Sequence, residues 1–289
     1  MDFHGVLPAL LTPFDEQNRI NRKELEKLIR YLIDRGASGF YVCGSTGEAF
    51  LMSTEERKKV MSIVRDCAPD HALIAQIGSI HEEEAMKLAR HARNIGYHAI
   101  SSVSPFYYKF TFDEIHQYYC RLADAAELPM LVYHIPALSG VNMGMAEISR
   151  FLEDERFMGI KYTSNDFFTM EQCKTQFPHK IVYNGYDEMF LCGLAMGADG
   201  GIGSTYNFMV NKFVSIRQLF QQGKMEEAQK MQQEVNRIIA VLCRVGVMQA
   251  EKEVLNQLGF HFGCCRRPFA QPTEEQKALI AKEILPFIS

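Results

Sequence analysis

The sequence predicts an α/β fold, a TIM (β/α)8 barrel with a C-terminal helical extension, and three observations carry that expectation. Apolar, β-branched runs recur eight times, each closed by a Gly, Pro or Thr that can turn the backbone. Stretches of helical periodicity lie between them, giving a repeat of about 20 to 34 residues, the length of a strand, a helix and two short loops. After residue 208 the strand runs stop, and only helical patterns follow.

The eight runs cover residues 5–11, 39–43, 72–77, 99–103, 130–134, 158–161, 181–183 and 200–202. Helical spacing is clearest over 22–35, 54–67, 82–95, 112–126 and 145–153. Eight alternating units of this kind close most naturally into a barrel. An open doubly wound sheet is the other arrangement, but the Gly-x-Gly-x-x-Gly fingerprint of its dinucleotide-binding form is missing. Residues 212–221 supply the last barrel helix. The stretches 225–245, 249–258 and 273–285 then form an appendage on the barrel's side, with breaks at Gly246, 259–268 and Pro272. The expected division is a barrel over 1–224 and an extension over 225–289.

Composition narrows the function classes. At 289 residues, 47% hydrophobic and 23% charged, the chain has material for a large core. A net charge of -4 offers no basic surface for nucleic acid. Residues 1–5 lack the basic and apolar regions of a signal peptide, and no segment reaches the roughly eighteen apolar residues of a membrane span. The expectation is a cytoplasmic protein without a membrane partner. The eight cysteines show neither a CxxC pair nor metal-ligand spacing, so reduced thiols are expected, with no disulfide, metal or cofactor.

The chemistry should sit where barrel strands end, because those ends converge on one face. Lys161 closes the sixth run and is followed by Thr163 and Ser164. A lysine there is partly out of water, and desolvation disfavours its ammonium, which makes a free amine available to attack a carbonyl. A solitary lysine is more often snorkelling or salt-bridged, so its neighbours decide the matter. Tyr133 ends the fifth run, one strand away, and a phenol near a cation can relay a proton. The loop from Gly44 through Ser45, Thr46 and Gly47 to Glu48 combines two glycines with two hydroxyls, which suits a carboxylate. After the seventh run come Gly185, Asp187 and Glu188, and after the eighth Gly203, Ser204 and Thr205. Those acids and hydroxyls can hydrogen-bond a polyol, while the acid pair also suits a helix start. Together these residues describe a Schiff-base enzyme acting on a 2-oxo acid.

The residues resemble the N-acetylneuraminate lyase and dihydrodipicolinate synthase family of class I aldolases. The resemblance runs from the segment 5–14 to Arg267-Pro268-Phe269, and its shared signature falls on 44–48, Tyr133 and Gly159-Ile160-Lys161. The narrower match, to the sialic-acid-cleaving branch, is carried by 135–141, 183–188 and 197–207. The resemblance implies that Lys161 forms the imine and Tyr133 moves the proton at the substrate's C4 hydroxyl as C3–C4 breaks. It implies that Ser45 and Thr46 hold the carboxylate, and that Thr163, Gly185, Asp187, Glu188, Gly203 and Ser204 line the polyol side. The products implied are pyruvate and N-acetyl-D-mannosamine. It further implies a homotetramer in which Tyr107 reaches a neighbouring subunit's site.

Two other readings stand beside this one. Another pyruvate-dependent aldolase of the same fold could act on a 2-keto-3-deoxy sugar acid or serve as a dihydrodipicolinate synthase. The synthase branch typically carries an arginine shortly after the strand-five tyrosine, where this chain has Ala137-Leu138-Ser139, so an acidic second substrate loses its anchor. A non-catalytic ligand-binding regulator is the third reading, but it has no use for both Lys161 and Tyr133. His134 stands where relatives often carry asparagine, and Met248 where an aromatic often closes the pocket; both bear on fine specificity.

Overall fold

The apolar runs become strands in the computed structural model, which describes residues 1–288. In chain order they are β1 (Gly5–Pro8), β2 (Gly39–Val42), β3 (Ala72–Gln76), β4 (Ala99–Val103), β5 (Met130–His134), β6 (Phe157–Tyr162), β7 (Ile181–Asn184) and β8 (Gly200–Gly203). All pairings are parallel, in the order β1-β8-β7-β6-β5-β4-β3-β2. The gap between β1 and β2 closes just beyond the strands, where Ala9 bridges Tyr41 and the Leu10 amide donates to the Tyr41 carbonyl at 3.0 Å. The result is the expected (β/α)8 barrel.

Helices α1 (Arg22–Ile33), α2 (Thr54–Cys67), α3 (Glu82–Asn94), α4 (Phe112–Ala126), α5 (Pro136–Ser139), α6 (Met145–Leu152), α7 (Phe167–Gln176), α8 (Phe190–Ala195) and α9 (Tyr206–Gln221) accompany the strands. Several begin on side-chain caps. Ser53 with Glu56 and Thr111 with Glu114 form reciprocal capping boxes on α2 and α4, and Asn21 and Asp166 accept from backbone amides of α1 and α7. Each such cap stabilises its helix by about 1 kcal/mol.

Side chains sort by strand alternation into two cores. Leu7, Tyr41, Ile74, Leu131, Tyr133, Tyr183 and Ile202 fill the barrel interior. A larger core between sheet and helices takes the alternate positions, such as Met130, Val132, Ile160 and Tyr162.

The structure departs from the sequence-based expectations at identifiable places. β1 stops at Pro8 rather than residue 11: the Ala9 and Leu10 amides still reach the Gly203 and Tyr41 carbonyls, but the Leu11 amide turns to the Asn207 side chain, and the Thr12 hydroxyl donates to the Gly47 carbonyl. Helix α9 starts six residues before the expected 212 and kinks at Met209. Its first residues, 206–210, are buried without a polar face, so they carry no amphipathic signal. Helices α7 and α8 lie outside the periodic stretches, and α8 has only six residues.

The extension consists of α10 (Met225–Val245), α11 (Val247–Gln257) and α12 (Glu274–Glu283). Besides packing along α9, it reaches the end of the barrel where the strands terminate. Gln232 of α10 accepts from the Leu191 amide and donates to the Asp187 carbonyl. Lys252 of α11 pairs with Glu48 at 2.5 Å, both side chains almost wholly buried, and Glu48 also accepts from the Arg266 amide at 2.7 Å. The extension is thus tied to the 44–48 loop by a buried ion pair. Breaking such a pair from one side leaves an uncompensated charge, whereas neutralising both partners need not destabilise. Lys252→Met should therefore lower stability by about 3–5 kcal/mol in urea unfolding, and Lys252→Met with Glu48→Gln should recover most of it. Equal losses in the single and double variants would show that the pair does not hold the extension.

Candidate active site

Parallel register places the central residues. Tyr133 on β5 lies opposite Lys161 on β6, and Lys161 opposite Tyr183 on β7, so the three share the inner face of the barrel. The Lys161 Nζ lies 4.1 Å from the centre of the Tyr133 ring and 4.6 Å from that of Tyr41. Those two rings meet edge to face, with centroids 6.0 Å apart. The lysine is only 4% exposed. Burial pushes its pKa down from the usual 10.5 to about 7, against a smaller upward pull from Asp187. A large fraction of the amine is then neutral near pH 7, and the surrounding π faces tolerate the cation when it forms.

Tyr133 is also buried, and desolvation lifts its phenol well above the usual range despite the neighbouring hydroxyls of Thr163 and Ser45. It keeps its proton at neutral pH. It can take a proton only while handing its own onward.

Beyond the strand ends the ladder continues for one more step, which fixes the loops. The Thr163 amide donates to the His134 carbonyl at 2.9 Å, and the Gly185 amide to the Tyr162 carbonyl at 2.9 Å. Asp187 accepts from the Thr205 amide at 2.8 Å and the Thr205 hydroxyl at 2.6 Å, which locks the loop after β7 to the loop after β8. Burial nevertheless raises the Asp187 pKa to about 6. Two glycines make this packing feasible. A Cβ at Gly185 would overlap the Thr163 hydroxyl, and one at Gly203 would overlap the Asp187 carboxylate. Asn207 closes the assembly by donating to the Ala9 and Ser204 carbonyls, both at 2.7 Å.

Ser45, Thr46, Tyr133, Lys161, Thr163, Gly185, Asp187, Glu188 and Ser204 all line one cleft of about 450 Å³. Gly203 lies beneath Asp187, behind the cleft wall. Tyr107 does not join them. It is 83% exposed, has a positive φ of 81°, and lines a separate surface cleft with Tyr108 and Leu138.

The structure adds residues that sequence reasoning passed over. Ile239 and Cys243 of α10 and Val247 and Met248 of α11 line the same cleft, so the extension forms part of its wall. Of these only Met248 stood out in the sequence, because nothing in a helical repeat reveals which residue faces a distant loop. Tyr41, beneath the lysine, follows the inward alternation of β2, a signal present in the sequence. His134 faces away from the cleft, stacked on Tyr162 with ring centroids 4.9 Å apart, and burial pushes its pKa down to about 4.

A buried amine of lowered pKa, an adjacent phenol and a rim of hydroxyls and carboxylates can form an imine with a 2-oxo acid and hold a hydroxylated tail. Among the described residues, no group of three or more His, Cys, Asp or Glu is placed to hold a metal ion. No helix among them is long and apolar enough to cross a membrane.

The chain is similar to known proteins over nearly its whole length. Residues 2–285 match the dihydrodipicolinate synthetase family. The N-acetylneuraminate lyase of Citrobacter koseri is 44% identical over 278 residues, covering 95% of this chain and 93% of the relative. A Clostridium difficile protein solved in complex with mannosamine superposes with a TM-score of 0.96 at 37% identity, covering 99% of this chain and 100% of the other. The N-acetylneuraminate lyase of Fusobacterium nucleatum, solved with pyruvate, gives 0.94 at 38% identity, with 99% and 97% covered.

The electrostatics make a pH prediction. With pyruvate and borohydride present, the yield of reduced adduct on Lys161 should rise with pH about a midpoint near 7, since only the neutral amine attacks. Asp187 stabilises the ammonium, so Asp187→Asn should move that midpoint to lower pH. A midpoint near 10, or one that moves upward in the variant, would contradict the assignment of the amine's environment.

Proposed function

The chain belongs to the dihydrodipicolinate synthetase family, and from that premise we propose that it is a class I aldolase, a carbon–carbon lyase that reversibly cleaves N-acetylneuraminate to pyruvate and N-acetyl-D-mannosamine. The observation that carries the reading is Lys161, a buried amine with a pKa lowered to about 7, beside Tyr133 at the base of a polyol-sized cleft. Relatives at this identity and coverage bear the name N-acetylneuraminate lyase.

In the reaction, the neutral Lys161 amine adds to C2 of the open-chain sugar acid, and with one proton taken up from solvent the C2 oxygen leaves as water, so that a protonated imine remains; its final hydrolysis returns that proton. That imine is the electron sink. The C4 hydroxyl gives up its proton to Tyr133, which passes its own through the hydroxyls beside it to the substrate carboxylate, and that proton is later delivered to C3. As the C4–O bond gains carbonyl character, C3–C4 breaks and its electron pair moves into the imine to form an enamine. N-Acetyl-D-mannosamine leaves as the aldehyde. Protonation at C3 and hydrolysis of the imine then release pyruvate and restore the amine.

Ser45 and Thr46 hold the carboxylate, and Thr163, Gly185, Asp187, Glu188, Gly203 and Ser204 shape the side that receives the sugar's hydroxyls. Two further features support this substrate over the family's alternatives. Ala137 and Leu138 line the cleft where an arginine would be needed to bind an acidic partner, and the acid pair Asp187-Glu188 would repel one. The combination of Lys161 and Tyr133 favours turnover over ligand sensing.

We also propose a homotetramer located in the cytoplasm. Tyr107, Tyr108 and Phe110 stack edge to face on the surface beside exposed Leu138, an apolar patch suited to a second subunit and placed so that Tyr107 could reach that subunit's cleft. All eight cysteines are free thiols, which fits a reducing compartment.

The test is borohydride reduction with pyruvate followed by peptide mapping, with N-acetylneuraminate assayed in parallel for pyruvate release. The expected result is an adduct confined to Lys161 together with pyruvate release; an adduct on another lysine overturns the mechanism, and trapping without release overturns the substrate. Tyr133→Phe should keep pyruvate trapping within a few-fold but lower cleavage by about 10²–10⁴-fold, the worth of a positioned acid–base group. Unchanged turnover would remove Tyr133 from the proton path.

A further inference from the structure

Glu251 of α11 is a fully buried acid in a place that no step of the reaction requires. Its Oε1 accepts from the Ser204 hydroxyl at 2.6 Å, and its Oε2 is buried without a hydrogen-bond partner among the described residues. Of the other inward positions on the same helix, Ala250, Val254 and Leu255 are apolar, and the charged one, Lys252, is matched by Glu48, whereas Glu251 faces no cation. A helix that needed only to pack would carry an apolar residue at 251 as well. An acid kept there against its desolvation calls for a role, and its one bonded partner is a hydroxyl of the cleft wall.

We propose that Glu251 is a positioning residue for the polyol end of the substrate, holding the Ser204 hydroxyl against the cleft wall and so setting how tightly the sugar is held relative to pyruvate. This rests on the functional reading above. Ser204 follows β8 directly, and its backbone carbonyl is already fixed by Asn207. The Glu251 bond fixes the remaining freedom, rotation of the hydroxyl, and leaves the other hydrogen-bonding capacity of that oxygen for a substrate hydroxyl. The carboxyl reaches Ser204 from the extension, so it acts on the sugar side without touching the lysine.

Burial, with a smaller contribution from the nearby Asp187 charge, raises the Glu251 pKa to about 8 against the opposing Ser204 bond. The side chain is therefore mostly neutral near pH 7. Glutamine is then the conservative replacement, since it matches both shape and charge, whereas leucine keeps volume and removes the acceptor.

The experiment compares steady-state cleavage of N-acetylneuraminate and borohydride trapping of pyruvate in wild type, Glu251→Leu, Glu251→Gln, Ser204→Ala and Glu251→Leu with Ser204→Ala. Glu251→Leu should raise KM for the sugar acid about tenfold, the scale of one buried hydrogen bond, with kcat changed less than about threefold. Glu251→Gln should stay within about threefold of wild type. In the Ser204→Ala background Glu251→Leu should add less than about twofold, and half-saturation for pyruvate trapping should not move in Glu251→Leu. The proposal is overturned if KM is unchanged in Glu251→Leu, if pyruvate half-saturation rises alongside it, or if the same factor appears without the Ser204 hydroxyl. A wild type that traps pyruvate but does not cleave N-acetylneuraminate shows instead that the functional reading has failed, and the proposal falls with it.

Discussion

The Lys161 amine lies on the aromatic faces of Tyr41 and Tyr133 inside the barrel, and the loss of water there, more than any charge, sets its protonation. An isolated ammonium in such a place is costly, so the group shifts towards its neutral form. The fold must bear that cost. A lysine whose folded pKa is depressed binds fewer protons than it does in the unfolded chain, so its contribution opposes folding at neutral pH and diminishes as pH rises from about 7 towards its unfolded value. Asp187 reduces the cost without reversing it, because its own carboxyl is buried and held by Thr205.

Much of the remaining architecture serves to keep that amine in place. Parallel register sets Tyr133, Lys161 and Tyr183 side by side, so a shift of one residue on β6 would turn the lysine into the layer between sheet and helices. The extra residue accommodated between β5 and β6 near Met130 and Leu131 lies at the far end of the strand and leaves the Tyr133–Lys161 pairing intact. At the rim, glycines 185 and 203 allow the Thr163 and Asp187 side chains to pack where a Cβ would stand. The strand ends thus present several polar groups at close range without a flexible loop between them and the lysine.

The parts of this arrangement that were legible in the sequence are those encoded locally. The barrel was legible because each β/α unit carries its own apolar run, periodic helix and turn residue. Lys161, Tyr133 and the strand-end hydroxyls were legible because barrel geometry gathers strand ends without knowledge of tertiary contacts. What escaped depends on contacts between distant segments. Glu251 and Ser204 are 47 residues apart and Asn207 and Leu11 are 196 apart, and neither pairing leaves a periodic signal. The first turn of α9 escaped for the opposite reason: burial on every side erased the amphipathic pattern by which a surface helix is read. Tyr107 was singled out in the sequence, but it lies outside the cleft, exposed on the surface beside Tyr108 and Leu138.

These differences separate two tasks within one cleft. The lysine, the tyrosine and the carboxylate loop belong to the barrel, where register and inward alternation leave little room for substitution. Part of the cleft wall comes from α10 and α11, through Ile239, Cys243, Val247 and Met248, with Glu251 one layer behind Ser204. Side chains on those helices can change without moving a strand, since the helices are held by other contacts: Gln232 to the loop after β7 and Lys252 to Glu48. Glu48 closes the loop that carries Ser45 and Thr46, so the same ion pair that seats α11 also steadies that side of the cleft. The extension therefore couples the Ser45–Thr46 side of the cleft to the Ser204 side while leaving Lys161 and Tyr133 to the barrel alone.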